Sequence, residues 1–240
     1  MKLRSIILLV GGEGRRLHPI TRATPKCLVN VNGRPFLFWL LDFLKTQEIE
    51  QVVLCTGHRQ EEVVAAIGDS YNNIGIKYSS DGETLVGTGA AVRNALELLD
   101  GEPTFVQYGD SYLPISYSQV WDRFIADRAD TTMTVFKNDG RYDNSNAHYS
   151  NGKILRYRKG IGHGVFSYID YGLSIMSSKS FARFSGASAF DLGDVFSFLA
   201  DEGELHGFEV NKRFYEIGSF AGLASFKKFV DDLGVVSEKL

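Results

Sequence analysis

The first hundred residues alternate between short apolar runs and stretches with a helical repeat. Residues 5–10 (SIILLV), 51–56 (QVVLCT), 74–79 (IGIKYS) and 104–108 (TFVQY) each read as a buried strand. Between them, Pro35 opens a helix with Phe36, Trp39, Leu40 and Phe43 at i, i+3, i+4 and i+7. Residues 60–67 (QEEVVAAI) form a shorter helix. Thr88 is placed to cap a third, whose buried face is Ala91, Val92, Ala95, Leu96 and Leu99. Strands and helices in alternation predict parallel strands joined by right-handed crossovers.

The second half has a different texture. Residues 131–137, 145–150, 153–159 and 167–176 are strand-like and polar-aromatic, and Asn151-Gly152 signals a hairpin turn. Helical patterns return at 178–184 and 191–201. Strands at 205–210 and 213–217 and a helix from Ser219 to about Leu233 complete the chain. No repeat, low-complexity tract or linker interrupts it. One α/β domain over residues 1–240 is expected.

Composition narrows the function classes. The chain has 240 residues, 44% hydrophobic and 23% charged, as in ordinary globular proteins. Its net charge is −3 and no run of basic residues exceeds two, so nucleic acid is not an expected partner. The amino-terminal MKLRSIILLVGG has too short an apolar run for a signal peptide, and nothing approaches the ~20 apolar residues of a membrane helix. Cys27 and Cys55 make neither a disulfide framework nor a zinc pattern, and are expected as reduced thiols of a cytoplasmic protein. His18, His58, His148, His163 and His206 are scattered without metal-ligand spacing.

The chemistry is concentrated in LLVGGEGRRLHPITRATPK (8–26). A glycine-rich turn after a strand commonly holds phosphate, because glycine admits positive φ and removes the Cβ that would block an anion. The dinucleotide fingerprint fails, since Leu17 stands where its third glycine belongs. The P-loop fails as well, because no Gly-Lys-Ser/Thr follows. What remains is a turn of Gly11, Gly12 and Gly14 followed by Arg15, Arg16 and Lys26. Pro25 disfavours helix at Thr24 and so predicts an extended segment carrying Lys26.

This stretch resembles the signature of the sugar-1-phosphate nucleotidylyltransferases: Gly12-Glu13-Gly14-Arg15-Arg16-Leu17, then Pro19-Ile20-Thr21, then Pro25-Lys26. Arg15 departs from it, standing where threonine or serine is common. The likeness continues through residues 28–44, through VGTGAAV (86–92), YGDSY (108–112) and ILRYRKG (154–160), and ends at RFYEIGSFAGL (213–223). The resemblance implies an α/β Rossmann-like three-layer sandwich with a mixed, mostly parallel central sheet, similar to the GT-A fold. Residues 1–112 would form the nucleotide-binding half and 113–240 the sugar-phosphate half. No segment after the closing motif reads as a further domain, so the catalytic core alone is expected. The loops are similar to short members making GDP-heptose or UDP-N-acetylmuramate, which leaves base and sugar open.

The implied reaction joins an NTP and a sugar 1-phosphate to give an NDP-sugar and pyrophosphate. The attacking phosphate monoester has a second pKa of about 6 and needs no general base at neutral pH. Positioning and electrostatics must then carry catalysis. By resemblance, Gly11, Gly12, Gly14, Gly87 and Thr88 would bind the nucleotide, with Arg15 an uncertain addition. Arg16 would stabilise the leaving pyrophosphate and Lys26 the reacting centre. Lys159, Asp170 and Gly172 would hold the sugar phosphate, with Arg158 either adding charge beside it or signalling a different partner loop. Asp110 and Glu216 would hold Mg²⁺; Glu216 stands where aspartate is usual. A Gly-Asp pair is by itself a common turn, and Asp110 gains its role from following TFVQY. The polar loop at 141–148 is a candidate substrate-facing segment. Homo-oligomers are common among the family. Two other readings stay open: a non-catalytic nucleotide-sugar sensor, and a cytidylyltransferase for an alcohol phosphate such as phosphocholine, with Tyr157, Tyr168 and Tyr171 as its aromatic pocket.

Overall fold

The computed structural model describes residues 4–57, 59–82, 86–99, 103–160 and 164–237. Of the histidines, His58 and His163 lie outside them. The sheet is built from β1 (Ser5–Leu9), β2 (Gln51–Thr56), β3 (Ile74–Ser80), β4 (Thr104–Tyr108), β5 (Thr131–Lys137), β6 (Ala147–Ser150), β7 (Lys153–Tyr157), β8 (Tyr168–Met176) and β9 (Leu205–Val210). A two-residue edge segment, Ser70–Tyr71, makes the tenth strand, and the spatial order is β6-β7-β9-β5-β8-β4-β1-β2-β3-edge. The four strands β4, β1, β2 and β3 are mutually parallel. Only β7, β8 and the edge segment run against β1. The expected mixed, mostly parallel sheet is the one observed.

Six longer helices cover it: α1 (Phe36–Thr46), α2 (Gln60–Ile67), α3 (Thr88–Leu96), α4 (Tyr117–Asp127), α5 (Leu192–Asp201) and α6 (Phe220–Ser237). Alternation along β1 feeds two cores. Ile6 and Leu8 join α1, α2, α4 and α6 on one face, while Ile7 joins α3, α5 and the 3₁₀ turn Ser178–Phe184 on the other.

Several local expectations shift. The buried face of α1 is Phe36, Leu37, Leu40, Leu41 and Leu44, rotated from the predicted stripe because α6 also packs on it, with the Phe36 and Phe226 rings 5.1 Å apart. Trp39 stays at the margin, its indole N–H donating to the Val31 carbonyl at 3.2 Å. Thr88 is not the cap of α3. Gly87 holds that position at φ +82°, where a Cβ would stand 2.5 Å from the Phe190 carbonyl oxygen. The Thr88 hydroxyl instead accepts the Leu192 N–H (2.9 Å) and tethers α3 to the start of α5. Thr24 is extended as predicted, but Lys26 already opens a 3₁₀ turn, Lys26–Leu28. The strand expected at 213–217 shrinks to Tyr215–Glu216. Helix α4 was not anticipated; its buried Tyr117, Val120 and Phe124 are spread thinly through a polar segment.

Candidate active site

The chain passes from β1 to β2 and β3 on one side, then crosses to β4 on the other. Strand order therefore reverses between β1 and β4, where open α/β sheets bind ligands at the carboxyl ends of their strands. Leu9 and Tyr108 are register partners, and the Gly109 N–H donates to the Leu9 carbonyl at 3.0 Å. The segments carrying Gly11 and Asp110 thus leave the sheet side by side.

Two cavities meet there. One, of about 310 Å³, is walled by Gly11, Gly12, Cys55, Asp81, Gly87, Thr88 and Lys26. The other, of about 740 Å³, is lined by Arg16, Lys159, Asp170, Gly172 and Glu216, and by Tyr142, Asp143, Asn144 and Asn146 of the polar loop. Tyr108 and Asp110 belong to both. Gly11 is required by its surroundings, since a Cβ would lie 2.9 Å from the Gly57 nitrogen.

Charge converges on the seam. The Lys26 ammonium pairs with the Asp110 carboxylate, whose other oxygen accepts from Ser111 Oγ at 3.2 Å. Glu216 is brought alongside by a short antiparallel ladder that sets it opposite Ser111, and the Ile217 N–H donates to the Asp110 carbonyl at 2.9 Å. Its carboxylate accepts from the Gly218 N–H and from Ser219 Oγ (2.5 Å), at the amino-terminal end of α6. A Cβ placed on Gly218 would find Glu216 Oε2 at 2.8 Å, Arg16 Nη2 at 3.0 Å and Lys26 Nζ at 3.1 Å. Two cations from the glycine-rich stretch and a carboxylate from the closing motif therefore face one spot.

The sugar-phosphate side is shaped by β8. Its register slips between Asp170 and Ser174 around Gly172, at φ +101°. Asp170 accepts from the Gly172 N–H (2.9 Å) and from the Tyr108 hydroxyl (3.2 Å). Burial pushes its carboxyl above the usual range, partly countered by Gly172 and by the charge of Lys159. Lys159 Nζ lies 5.8 Å from the Tyr108 ring centroid. Among the described residues the buried Tyr157 hydroxyl meets no close hydrogen-bond geometry, although it stands near Asp170 and the Tyr108 hydroxyl and its ring lines this cleft.

Most of the predicted residues come together, with exceptions. Gly14 lines neither cavity; at φ +67° it packs under the stem of Lys26, where a Cβ would stand 3.2 Å from the lysine Cβ. Arg15 lies outside both cavities, four-fifths exposed and paired with Glu13 at 2.5 Å. Arg158 turns from the cleft to pair with Asp201 (2.7 Å), which corrects the expectation of added charge beside the sugar phosphate. Tyr168 also faces away, bonding Glu209 at 3.2 Å. Sequence reasoning missed Tyr108 and Asp81 as lining residues; both stand one or two positions past a recognised strand or before a recognised acid. Cys27 and Cys55 are free and buried, and burial raises the Cys27 thiol to about 12, so it supplies no thiolate at neutral pH.

Residues 5–146 match the family described as Nucleotidyl transferase. The chain belongs to that family. A D-glycero-alpha-D-manno-heptose 1-phosphate guanylyltransferase of Aneurinibacillus thermoaerophilus is 33% identical over 129 residues, 54% of this chain and 56% of that one. The chain thus spans about half the length of the curated relatives it matches. Two solved structures share the nucleotidyl transferase fold. One is a putative glucose-1-phosphate thymidylyltransferase of Bacillus anthracis (TM-score 0.82, 21% identity, 94% of each chain). The other is HddC of Yersinia pseudotuberculosis complexed with GMP-PN (TM-score 0.81, 20% identity, 95% of this chain and 100% of that one). Among the described residues, no helix is long and apolar enough to cross a membrane.

The closing motif of this nucleotidyl transferase gives a sharp structural test. Gly222 sits so close to Glu216 that a Cβ would fall on its carboxyl group and lie 2.6 Å from its carbonyl oxygen. Gly222→Ala is expected to displace Glu216, lower turnover by about 10-fold or more and cost about 1–3 kcal/mol. Thermal unfolding and steady-state kinetics check this; an unchanged enzyme would mean that Glu216 moves freely.

Proposed function

We propose that the chain transfers a nucleotidyl group from an NTP to a sugar 1-phosphate and releases pyrophosphate. The observation carrying this reading is the pair of cavities sharing Asp110 and Tyr108. The glycine-walled cavity suits a nucleoside, the larger cleft with Arg16 and Lys159 a sugar phosphate, and their seam the α-phosphorus. A sugar-phosphate oxygen forms the new bond to that phosphorus as its bond to the bridging β-phosphate oxygen breaks, and the electron pair leaves on pyrophosphate. Lys26 offsets charge at the reacting phosphorus. Arg16, two-thirds exposed and 3.7 Å from Asp143, swings onto the departing phosphates.

Asp110 and Glu216 fit a hard divalent cation, being two carboxylates on neighbouring segments, joined by the Ile217 N–H to Asp110 carbonyl bond, that both line the larger cleft. They would hold Mg²⁺, which when bound neutralises phosphate charge. Location in the cytoplasm, where both thiols stay reduced, belongs to the same reading. The expected aromatic pocket for a choline-like cation is broken, because Tyr168 faces away to Glu209 and lines neither cavity.

Pyrophosphate release measured over four NTPs and a panel of sugar 1-phosphates tests the proposal. Release with at least one pair is expected. No release with any pair, alongside tight nucleotide-sugar binding, would make the chain a sensor instead.

Tyr157 supplies a second check. Its hydroxyl makes no close hydrogen bond among the described residues, so Tyr157→Phe should shift the thermal midpoint by only a few degrees at most. If the hydroxyl pairs with a sugar hydroxyl, KM for the sugar phosphate rises about 10-fold. An unchanged KM would remove Tyr157 from recognition.

A further inference from the structure

We propose that Gly193 is a positioning residue for Lys159: it keeps the start of α5 bare, so that the lysine stem lies across it on the way into the larger cleft. The inference rests on the nucleotidyl-transfer reading above, in which Lys159 holds the sugar phosphate. Gly193 is the second residue of α5, buried and without the positive φ that would call for glycine. Alanine would serve the helix better there, since glycine is the weakest helix former after proline. What glycine provides is room. A Cβ on Gly193 would stand 3.0 Å from Lys159 Cδ, 3.1 Å from Cε and 3.5 Å from Nζ. The Tyr108 ring bounds the lysine as well, its centroid 5.8 Å from Nζ. Among the described residues Lys159 has no ion-pair partner, so these two contacts, rather than a counter-charge, give its ammonium a direction.

The turn before Gly193 decides which side yields to a larger residue. The Phe190 carbonyl accepts from the Gly89 N–H (3.0 Å) and the Ala90 N–H (3.3 Å), and the Phe190 N–H donates to the Val86 carbonyl (3.0 Å). Asp191 accepts from Thr88 Oγ1 (3.2 Å), and the Leu192 N–H donates to the same hydroxyl (2.9 Å). Leu192, Val195 and Phe196 are buried in the core. The start of α5 is thus fixed and cannot retreat. The lysine stem can move, and must. Carbon atoms pack at about 3.5–4.0 Å, so Cδ and Cε have to withdraw by roughly 0.5–1 Å. A shift of that size at a phosphate-binding ammonium costs about an order of magnitude in recognition. The same turn holds the Gly87-Thr88 loop of the smaller cavity, but the three nearest neighbours of a Gly193 Cβ would all be lysine atoms. The nucleotide side is therefore left alone.

The test is Gly193→Ala in the full chain. The thermal midpoint should stay level or rise slightly, because the helix gains a better residue. Pyrophosphate release with mannose 1-phosphate and with glucose 1-phosphate should show KM for the sugar phosphate raised about 10-fold and KM for the NTP unchanged. In a Lys159→Ala background Gly193→Ala should add nothing, since its effect passes through the lysine. NMR after reductive ¹³C-methylation reads the lysine without any reaction, with Lys159→Arg assigning its signal. Gly193→Ala should move that signal, which lies near the Tyr108 ring, and leave the other lysines in place. An unmoved Lys159 signal overturns the inference, as does a KM rise that persists in Lys159→Ala. A moved signal with unchanged KM overturns it too, by removing Lys159 from recognition, and so does a variant that fails to fold, since Gly193 would then be structural. Absence of release from every NTP and sugar phosphate would sink the transferase reading, while the Lys159 signal would still decide whether Gly193 directs the lysine.

Discussion

Replacing Lys26 by alanine should lower kcat by about 10²–10³-fold while shifting the thermal midpoint by only a few degrees. The magnitude is that of removing one preorganised charge from a developing anion. Its small effect on folding follows from the partner. Lys26 is 14% exposed, but Asp110 is 31% exposed and keeps its bond from Ser111, so water can solvate the freed carboxylate. Such a pair contributes about 1–2 kcal/mol, less than a fully buried one. Loss concentrated in kcat follows because the ammonium is tied to Asp110 in the free protein and acts fully only as charge builds on phosphorus. Kinetics with saturating substrates and a melting curve decide the matter. Normal turnover would remove Lys26 from the reacting centre, and a collapse of the melting transition would make it a structural residue.

The legibility of this site in the sequence follows the physics of each residue. Gly11, Gly12 and Lys26 could be read because a strand, a tight turn and an extended Thr24-Pro25 are all local events. The sheet was legible for the same reason, since each buried strand announces itself as an apolar run. Helix α4 hid because one face of a surface helix needs only Tyr117, Val120 and Phe124 to bury. The direction of a long side chain is not local. Arg15 and Arg16 are adjacent, yet one pairs with Glu13 on the surface and the other reaches the spot above Gly218. Nothing in the order Arg-Arg chooses between them; the 3₁₀ turn Arg15–Leu17 and the contacts beyond it do. Asp81 was silent for a related reason. It lines the smaller cavity only because the end of β3 is bonded to the end of β2, a long-range pairing.

The walls of the two cavities are also a matter of side-chain reach. Asp191 lies late in the sequence and walls the smaller cavity, while Arg16 lies early and walls the larger cleft. In the proposed reaction Asp110, shared by both cavities, couples the two binding events.

That coupling predicts the second large effect. Asp110→Asn keeps the shape of the side chain and the bond from Ser111 but removes its charge. It should cut turnover by about 10³-fold and raise the Mg²⁺ concentration needed for half-maximal rate, since one of two carboxylate ligands is lost. Glu216→Gln should cost less, because the Gly218 N–H and Ser219 hydroxyl already occupy that carboxylate. A purely structural Asp110 would behave differently. If it served only to hold Lys26, then combining Lys26→Ala with Asp110→Asn would cost no more than Lys26→Ala alone, and the Mg²⁺ requirement would not move. If it also holds the cation, the double variant falls below either single one. A Mg²⁺ titration of the three variants separates the two roles, and an unchanged half-maximal concentration in Asp110→Asn would strike Asp110 from the metal site.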